Sequence, residues 1–241
     1  SRDTVTALEA FASAFDLRTC KAVTGFANDT QQEIALLFDP DLLESVHDPK
    51  GQAPVPGAPH VEGAPRFDGT FRIDLDVDAT EDKVVFSKPP LEIALTVKAT
   101  GKVLRLIGAH LKSKAPHGAT TRDEVMRLSI ANRRKQHAQA IWLRARVQEH
   151  LEAGDPIMVM GDLNDGPGLD EYENLFGRSS VEIVLGDDDS ALFDPHASQA
   201  LQRRLGAQPT TARFYLSQEK RYLQALLDYI MVSPDLRATA H

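Results

Sequence analysis

Apolar residues recur at helical spacing in two segments of this chain. Residues 4–15 carry apolar side chains three or four positions apart, and a threonine at the start can cap the helix. The second segment runs from about residue 122 to residue 151, after which Gly154-Asp155-Pro156 ends it. We therefore predict a short amphipathic helix near the amino terminus and one long helix in the middle of the chain.

Short apolar runs between turn residues predict strands at 33–38, 91–100, 102–111, 156–160 and 226–232. Thr100-Gly101 predicts a hairpin, and the continuously apolar PIMVM at 156–160 predicts a central strand. The run LLDYIMV at 226–232 is predicted to be a buried strand. Strands and helices mix without regular β-α-β alternation, so the pattern favours a layered α/β sandwich with mixed or antiparallel sheets over a Rossmann fold.

The length and composition are those of a globular protein. The chain has 241 residues, of which 42% are hydrophobic, and no internal repeats, so we treat residues 1–241 as a single domain. Residues 48–66 contain five prolines and three glycines and are predicted to form an irregular loop. Cys20 is the single cysteine, which excludes an internal disulfide and a Cys-rich zinc site.

The net charge is −8, so contact with a polyanion requires a local basic patch or metal ions. The long predicted helix carries seven basic and two acidic residues between Arg122 and Arg146, which suits an anionic substrate, although a solvated helix surface is the simpler interpretation. His137 on this helix is likewise expected at the surface. Residues 187–189, all aspartate, predict an exposed acidic loop rather than a metal site.

No apolar run reaches the roughly 18–20 residues that span a bilayer. We expect a soluble protein, either cytoplasmic or exported, and the sequence leaves its oligomeric state open. The chain begins at Ser1 without an initiator methionine, so the natural amino terminus is expected to lie elsewhere.

The motif MGDLND at residues 160–165 is the most informative segment. An apolar strand runs directly into a turn that carries Asp162 and Asn164, two residues apart. A carboxylate and a carboxamide at this spacing can hold a water molecule and a phosphate oxygen. A strand-ending Asx turn is the alternative interpretation. An EF-hand interpretation fails because Pro167 stands where that loop requires glycine.

Two further strand positions carry candidate chemistry. His110 ends an apolar strand and is followed by Lys112 and Lys114, a set that suits a negatively charged oxygen, although such a histidine is more often structural. Asp228 alternates with apolar residues in 226–232, so a buried carboxylate is expected there. It would pair with an arginine of the long helix or orient a catalytic histidine or a metal ion.

Read in order, these segments resemble the endonuclease/exonuclease/phosphatase superfamily. GAHLKSK, the long basic helix, MGDLND and LDYIMVSPDL follow one another as they do in that superfamily, from about residue 33 to residue 236. The resemblance implies a DNase I-like fold, a four-layer α/β sandwich of two packed mixed or antiparallel sheets flanked by helices. It also implies hydrolysis of a phosphoester bond by in-line attack of water, with Mg²⁺ or Mn²⁺ as cofactor and Ca²⁺ as a further candidate.

The same resemblance implies residue roles. Asp162 would orient or deprotonate the attacking water and contact the metal ion. Asn164 would hold the scissile phosphate and the nucleophile, and His110 would donate to a non-bridging phosphate oxygen. Asp228 would support the catalytic histidine. Substrate contacts are expected from Lys112 and, where relatives often have arginine, from Lys88.

The chain departs from the family pattern at both ends. Relatives have an upstream Asn and a metal-binding Glu, and Gln32-Glu33 matches this only superficially because Glu33 precedes its strand. Relatives also end in Ser-Asp-His, whereas His241 follows Ala240 and is not assigned as catalytic. We therefore expect the chain to lack the first strands and the last strand of the family.

These departures leave two functional hypotheses. One is a metal-dependent nuclease, phosphodiesterase or phosphatase, whose substrate is a nucleic acid, a lipid head group or a small phosphate ester. The other is a binding or scaffold protein on the same fold, without the metal-binding Glu and the general-base His.

Overall fold

The structure, a computed structural model, describes residues 2–30, 32–54, 63–74, 80–166, 175–202, 208–216 and 220–238. The helices are α1 (Arg2–Ala14), α2 (Arg122–Glu152), α3 (Ser180–Leu185), α4 (Pro195–Leu201) and α5 (Pro234–Arg237). The strands are β1 (Lys21–Thr24), β2 (Ala35–Phe38), β3 (Leu43–His47), β4 (Phe71–Ile73), β5 (Asp82–Val84), β6 (Leu91–Val97), β7 (Lys102–His110), β8 (Ile157–Asp162), β9 (Ala212–Leu216), β10 (Arg221–Ala225) and β11 (Asp228–Val232). His241 lies outside the described residues, as do residues 55–62 of the Pro-rich segment.

A five-stranded mixed sheet organises the molecule, with the strand order β11-β8-β7-β6-β3. The strands β7 and β8 run parallel, whereas β11 is antiparallel to β8, and β6 is antiparallel to both β7 and β3. The carboxyl ends of β7 and β8 and the amino end of β11 therefore meet at the same edge of the sheet. The strand predicted at 156–160 is β8, which has neighbours on both sides as expected of a central strand.

Each face of this sheet is covered by a different layer. Residues of β7, β8 and β11 pack against α2 around the fully buried Trp142 and Leu143. On the opposite face, Leu91 and Ile93 pack with Val23 and Leu36 of the β1–β2 ribbon, and α1 lies on that ribbon. The layers run helix, sheet, ribbon, helix, and the predicted class of a layered α/β sandwich with mixed sheets is confirmed.

Both predicted helices form, with slightly different ends. Helix α2 begins after Thr121, whose side chain accepts from the Glu124 backbone N–H while the Glu124 carboxylate accepts from the Thr121 N–H. This capping box satisfies backbone donors that the first turn leaves without intrahelical partners. The β6–β7 hairpin also forms, but Val97 pairs with Lys102, so residues 98–101 make a longer turn than the predicted Thr100-Gly101.

The prediction of a fully buried strand at 226–232 is wrong for one face. Tyr229 and Met231 are buried against the core, whereas Asp228 and Ile230 are exposed. The reason is topological, because β11 is the edge strand of this sheet and α2 covers only one of its faces. The carboxylate of Asp228 therefore lies in solvent, and no buried partner is needed to explain it.

The prediction that the basic residues of the long helix form a solvated surface is right for Arg122, Arg127 and Lys135, which are exposed, and wrong for two other arginines. Arg133 and Arg146 are almost completely buried, and so is His137. Arg146 donates to the carbonyl oxygens of Lys50 and Ala64 at 3.0 and 2.7 Å. Arg146 therefore holds the described ends of the Pro-rich segment and is not placed to attract a polyanion.

Residues 187–189 form the exposed acidic loop that the sequence predicts. None of the helices in the described part of the chain combines the length and the apolar character that a bilayer crossing requires.

Candidate active site

Three of the predicted site residues form a row across the sheet edge. His110 at the end of β7 is in register with Asp162 at the end of β8, and Asp162 is in register with Asp228 at the start of β11. Residues directly opposite one another on paired strands place their side chains on the same face, about 5 Å apart. The Nε2 atom of His110 lies 3.6 Å from Oδ2 of Asp162. Strand pairing thus brings together residues that lie far apart in the sequence.

A close approach of two backbones sets the spacing of this row. Gly161, next to Asp162, has φ of +132°, and a Cβ atom built on it would lie 2.1 Å from the carbonyl oxygen of Ala109. A side chain there would collide with the backbone of β7 and would also be strained at this φ. The glycine of the motif is therefore required by the packing of β8 on β7, immediately before the His110–Asp162 pair.

Asn164 joins the row through a turn. Its backbone N–H donates to Oδ1 of Asp162 at 2.7 Å, which is the Asx turn considered as the alternative interpretation. The turn and a catalytic role are compatible, because Oδ2 of Asp162 still faces His110. The Asn164 side chain donates from Nδ2 to the Leu111 carbonyl at 2.9 Å, which leaves Oδ1 available for a ligand.

Lys88 contributes a cation to the same cluster. Its Nζ atom lies 3.0 Å from Nε2 and 3.3 Å from Nδ1 of His110. An ammonium group can only donate, so these contacts favour a neutral imidazole. The ammonium of Lys112 lies near enough to lower the pKa of Lys88, although burial of Lys88 lowers it more. Lys88 thus lies beside the row, and the charge of Lys112 acts on Lys88.

Burial is the main influence on the ionisation of the row. It raises the pKa of Asp162, and the hydrogen bond from Asn164 and the charges of His110 and Lys88 oppose this only in part. Burial lowers the pKa of His110, and the Lys88 charge lowers it further. The site therefore holds a partly desolvated carboxylate beside a histidine that is neutral at neutral pH, a pair suited to proton transfer.

Helix α2 braces the two loops that follow β7 and β8, and sequence reasoning missed this. Nε2 of Gln136 donates to the carbonyl oxygens of Lys112 and Asn164 at 2.8 and 2.9 Å. Gln139 accepts from the Lys112 N–H at 2.8 Å. A polar residue on a helix carries no sequence signal for such a role, because a solvated side chain produces the same pattern.

Asp165, the last residue of the motif, is also structural and was missed. Its carboxylate is fully buried and accepts from the backbone N–H of Ser180 at 2.7 Å, and it is ion-paired with Lys114 at 2.5 Å and Arg133 at 3.5 Å. These contacts anchor the loop after Asn164 to the start of α3 and to α2. The basic residue Lys114 that was associated with anion binding serves this anchor.

A second buried charge cluster lies around the end of α2. His150 contacts Asp155 through Nδ1 at 2.8 Å and Glu92 through Nε2 at 2.9 Å. Arg105 also contacts Asp155, at 3.3 Å. These groups join α2 to β6, β7 and the start of β8, so their role is to hold the layers together.

The row presents a small number of oxygen ligands to a divalent metal ion. Within the described part of the chain, no three Asp, Glu, His or Cys side chains are placed to share one ion. The row offers the carboxylates of Asp162 and Asp228 and Oδ1 of Asn164. Mg²⁺ commonly takes one or two carboxylates and completes its shell with water and substrate phosphate, whereas Ca²⁺ takes about six to eight oxygen ligands. A divalent ion at the row would therefore need water and substrate oxygens to complete its shell.

Comparison with known proteins identifies relatives. Residues 25–241 match the model of a family described as the Endonuclease/Exonuclease/phosphatase family. No functionally curated protein matches the sequence significantly.

Solved structures with similarity to this chain are related at low identity. The catalytic domain of human nocturnin with bound sulfate is 16% identical with a TM-score of 0.41, and the match covers 89% of this chain and 60% of that one. A mannosyl-6-phosphatase of Bacteroides thetaiotaomicron is 12% identical with a TM-score of 0.43, covering 95% and 75%. An endonuclease/exonuclease/phosphatase family protein of the same organism is 14% identical with a TM-score of 0.44, covering 95% and 66%. Against nocturnin, the chain spans less than two thirds of the solved length.

Proposed function

Because the chain belongs to the endonuclease/exonuclease/phosphatase family, we propose that it is a phosphoester hydrolase that requires Mg²⁺ or Mn²⁺. The observation that carries this proposal is the pairing of Asp162 with His110 at adjacent strand ends, 3.6 Å apart. The open sheet edge gives a substrate access to both side chains, since each is only partly buried.

Each residue of the row has a role that its contacts support. The Asp162 carboxylate orients the attacking water and takes its proton, a role favoured by a pKa that burial has raised. The neutral His110 ring donates from one nitrogen to a non-bridging phosphate oxygen. Oδ1 of Asn164, whose amide group is fixed on Leu111, positions the nucleophile. Asp228 adds negative charge beside the pair and supports the histidine electrostatically.

A divalent ion bound by Asp162 and Asp228 would supply positive charge that offsets the negative charge of the phosphorane-like transition state. Lys88 and Lys112 add further cationic charge beside the same position, so both are expected to hold the phosphate group. In-line attack then requires only that water and leaving group lie on opposite sides of phosphorus.

The test is hydrolysis of bis(p-nitrophenyl) phosphate with Mg²⁺ or Mn²⁺, compared with excess EDTA. Asp162→Asn should lower kcat by about 100-fold or more, the usual contribution of a general base. Asp188→Asn is the matched control, because it removes the same charge from an exposed loop. Equal activity of the Asp162→Asn variant and the wild type would overturn the role assigned to Asp162.

A binding protein without catalysis is the second candidate. It is favoured by the finding that the described residues contain no group of three or more side chains able to hold a metal ion. Calorimetry with Mg²⁺ and Mn²⁺ separates the two candidates: saturable binding together with hydrolysis supports the enzyme, whereas flat heats without hydrolysis support the binding protein.

A further inference from the structure

The β9–β10 hairpin carries three exposed aromatic side chains. Within the described ranges, its two strands pair with each other and with no further strand. Tyr215 and Tyr222 are 57% and 55% exposed, and Phe214 on the other face is 46% exposed. Large aromatic side chains on an extended ribbon bury little area within the protein itself, and such exposed clusters are typical of binding surfaces.

One face of the hairpin carries two neighbouring tyrosine rings and a guanidinium group. Tyr215 and Tyr222 are directly opposite in the register, with ring centroids 5.1 Å apart. The guanidinium of Arg213 lies 3.8 Å from the centroid of the Tyr222 ring. Planar aromatic and guanidinium groups arranged in this way offer flat surfaces on which nucleobases stack.

The charge of the hairpin favours an anionic partner. Residues 212–225 of the sequence contain three basic residues, Arg213, Lys220 and Arg221, and one acidic residue, Glu219, although the whole protein has a net charge of −8. A local concentration of cations on an acidic protein is the feature needed to attract a phosphate backbone.

The hairpin is joined directly to the candidate active site. At its base the Thr211 N–H donates to the Ala225 carbonyl, and Oγ1 of Thr211 accepts from the backbone N–H groups of Leu227 and Asp228 at 3.0 and 3.1 Å. Asp228 belongs to the row of site residues. Tyr222 precedes it by six positions, so the two residues are at most about 20 Å apart.

We propose that this hairpin is a binding arm for a single-stranded oligonucleotide whose scissile phosphate lies at the Asp162–His110 pair. The inference rests on the proposed function and adds the class of substrate. The tyrosines and the row lie within about 20 Å of each other along the chain, a span that one oligonucleotide can cover.

A lipid surface fits the hairpin less well. Between the two strands the sequence continues as Ser217-Gln218-Glu219-Lys220. Segments that insert into the boundary of a bilayer present apolar and aromatic residues there, whereas this connecting sequence is entirely polar or charged. The exposed tyrosines lie along the strands instead, where a strand of nucleotides can run beside them.

The experiment measures binding of a fluorescently labelled 12-nucleotide single strand by anisotropy, in EDTA so that no hydrolysis occurs. Replacing both tyrosines, Tyr215→Ala with Tyr222→Ala, should weaken binding by about tenfold or more, because stacking contributes that much per base. The variant Tyr215→Phe with Tyr222→Phe keeps the aromatic rings and should bind as the wild type does.

A second aromatic pair in the molecule provides the matched control. Phe11 of α1 and Phe15, which follows the end of α1, are 51% and 66% exposed with ring centroids 4.8 Å apart. Replacing both by alanine removes the same kind of exposed pair outside the hairpin and should leave oligonucleotide binding unchanged. Circular dichroism of all variants distinguishes lost stacking from lost folding.

Two results would overturn the inference. One is equal oligonucleotide affinity of the tyrosine-to-alanine variant and the wild type. The other is loss of sedimentation with phosphatidylserine vesicles in that variant while oligonucleotide binding persists, which would assign the hairpin to membranes. Failure of the proposed function is separate, because it shows as unchanged hydrolysis in Asp162→Asn whatever the anisotropy shows.

Discussion

Replacing Gly161 by alanine tests the close approach of β8 to β7. The added Cβ atom would lie 2.1 Å from the Ala109 carbonyl oxygen, and backbone atoms cannot move aside as a flexible side chain would. A positive φ costs an L-residue about 1–2 kcal/mol, and overpacking adds about 1–3 kcal/mol. We therefore expect Gly161→Ala to lower the free energy of unfolding by about 2–5 kcal/mol.

The control is Gly101→Ala in the β6–β7 turn. Gly101 has φ of +69°, and a Cβ atom there would meet nothing within 4 Å. Only the conformational cost applies, so a loss of about 1–2 kcal/mol is expected. Urea denaturation followed by circular dichroism measures both values. If the two variants lose equal stability, the steric reasoning about Gly161 is refuted.

Three further predictions concern charge and bracing. Lys88→Gln should raise the pKa of His110, because burial and the adjacent ammonium both hold that pKa down; an NMR titration of metal-free protein measures it, and an unchanged value contradicts the contact. Burial alone would raise the pKa of Asp155, but the hydrogen bond from His150 and a nearby arginine outweigh it and hold the pKa below 3.8. The ionised Asp155 carboxylate stabilises the folded protein fully at pH values above its pKa in the unfolded chain, and this stabilisation is lost as the pH falls through its pKa in the folded protein. In Asp155→Asn, the free energy of unfolding measured by urea titration should therefore fall less steeply than in the wild type from about pH 5 downward. Gln136→Leu should lower the free energy of unfolding by about 1–3 kcal/mol. Because it also releases both site loops, it should lower kcat by a larger factor than the loss of folded protein accounts for. An unchanged kcat would contradict the bracing role of Gln136.

The elements with a strong local pattern could be predicted from the sequence. The helical spacing of apolar residues at 122–151 predicts α2, and the continuous apolar run at 156–160 predicts β8. Burial imposes both patterns directly on the sequence. The strand at 226–232 was only half right. Its alternation is visible, but whether a layer covers the second face depends on the position of β11 at the sheet edge, which no local pattern encodes.

Some residues of the candidate site could be predicted from the sequence and others could not. Asp162, Asn164, His110 and Asp228 could be proposed from the strand ends and from the family resemblance, and the structure brings them together. The roles of Gln136 and Asp165 could not be predicted, because they depend on which backbone groups approach a polar side chain across the fold. The buried cations of α2 were misassigned for a related reason: a charged residue looks the same in sequence whether it faces water or a loop carbonyl.

The central claim is that His110 and Asp162 act on one phosphorus centre. Its most direct test is a double-mutant cycle on the hydrolysis of bis(p-nitrophenyl) phosphate, with His110→Gln, Asp162→Asn and the combined variant. Residues that serve the same reacting group lose activity non-additively, so the combined variant should be little slower than the slower single variant. Losses that multiply independently, or single variants as active as the wild type, would contradict a shared reaction centre.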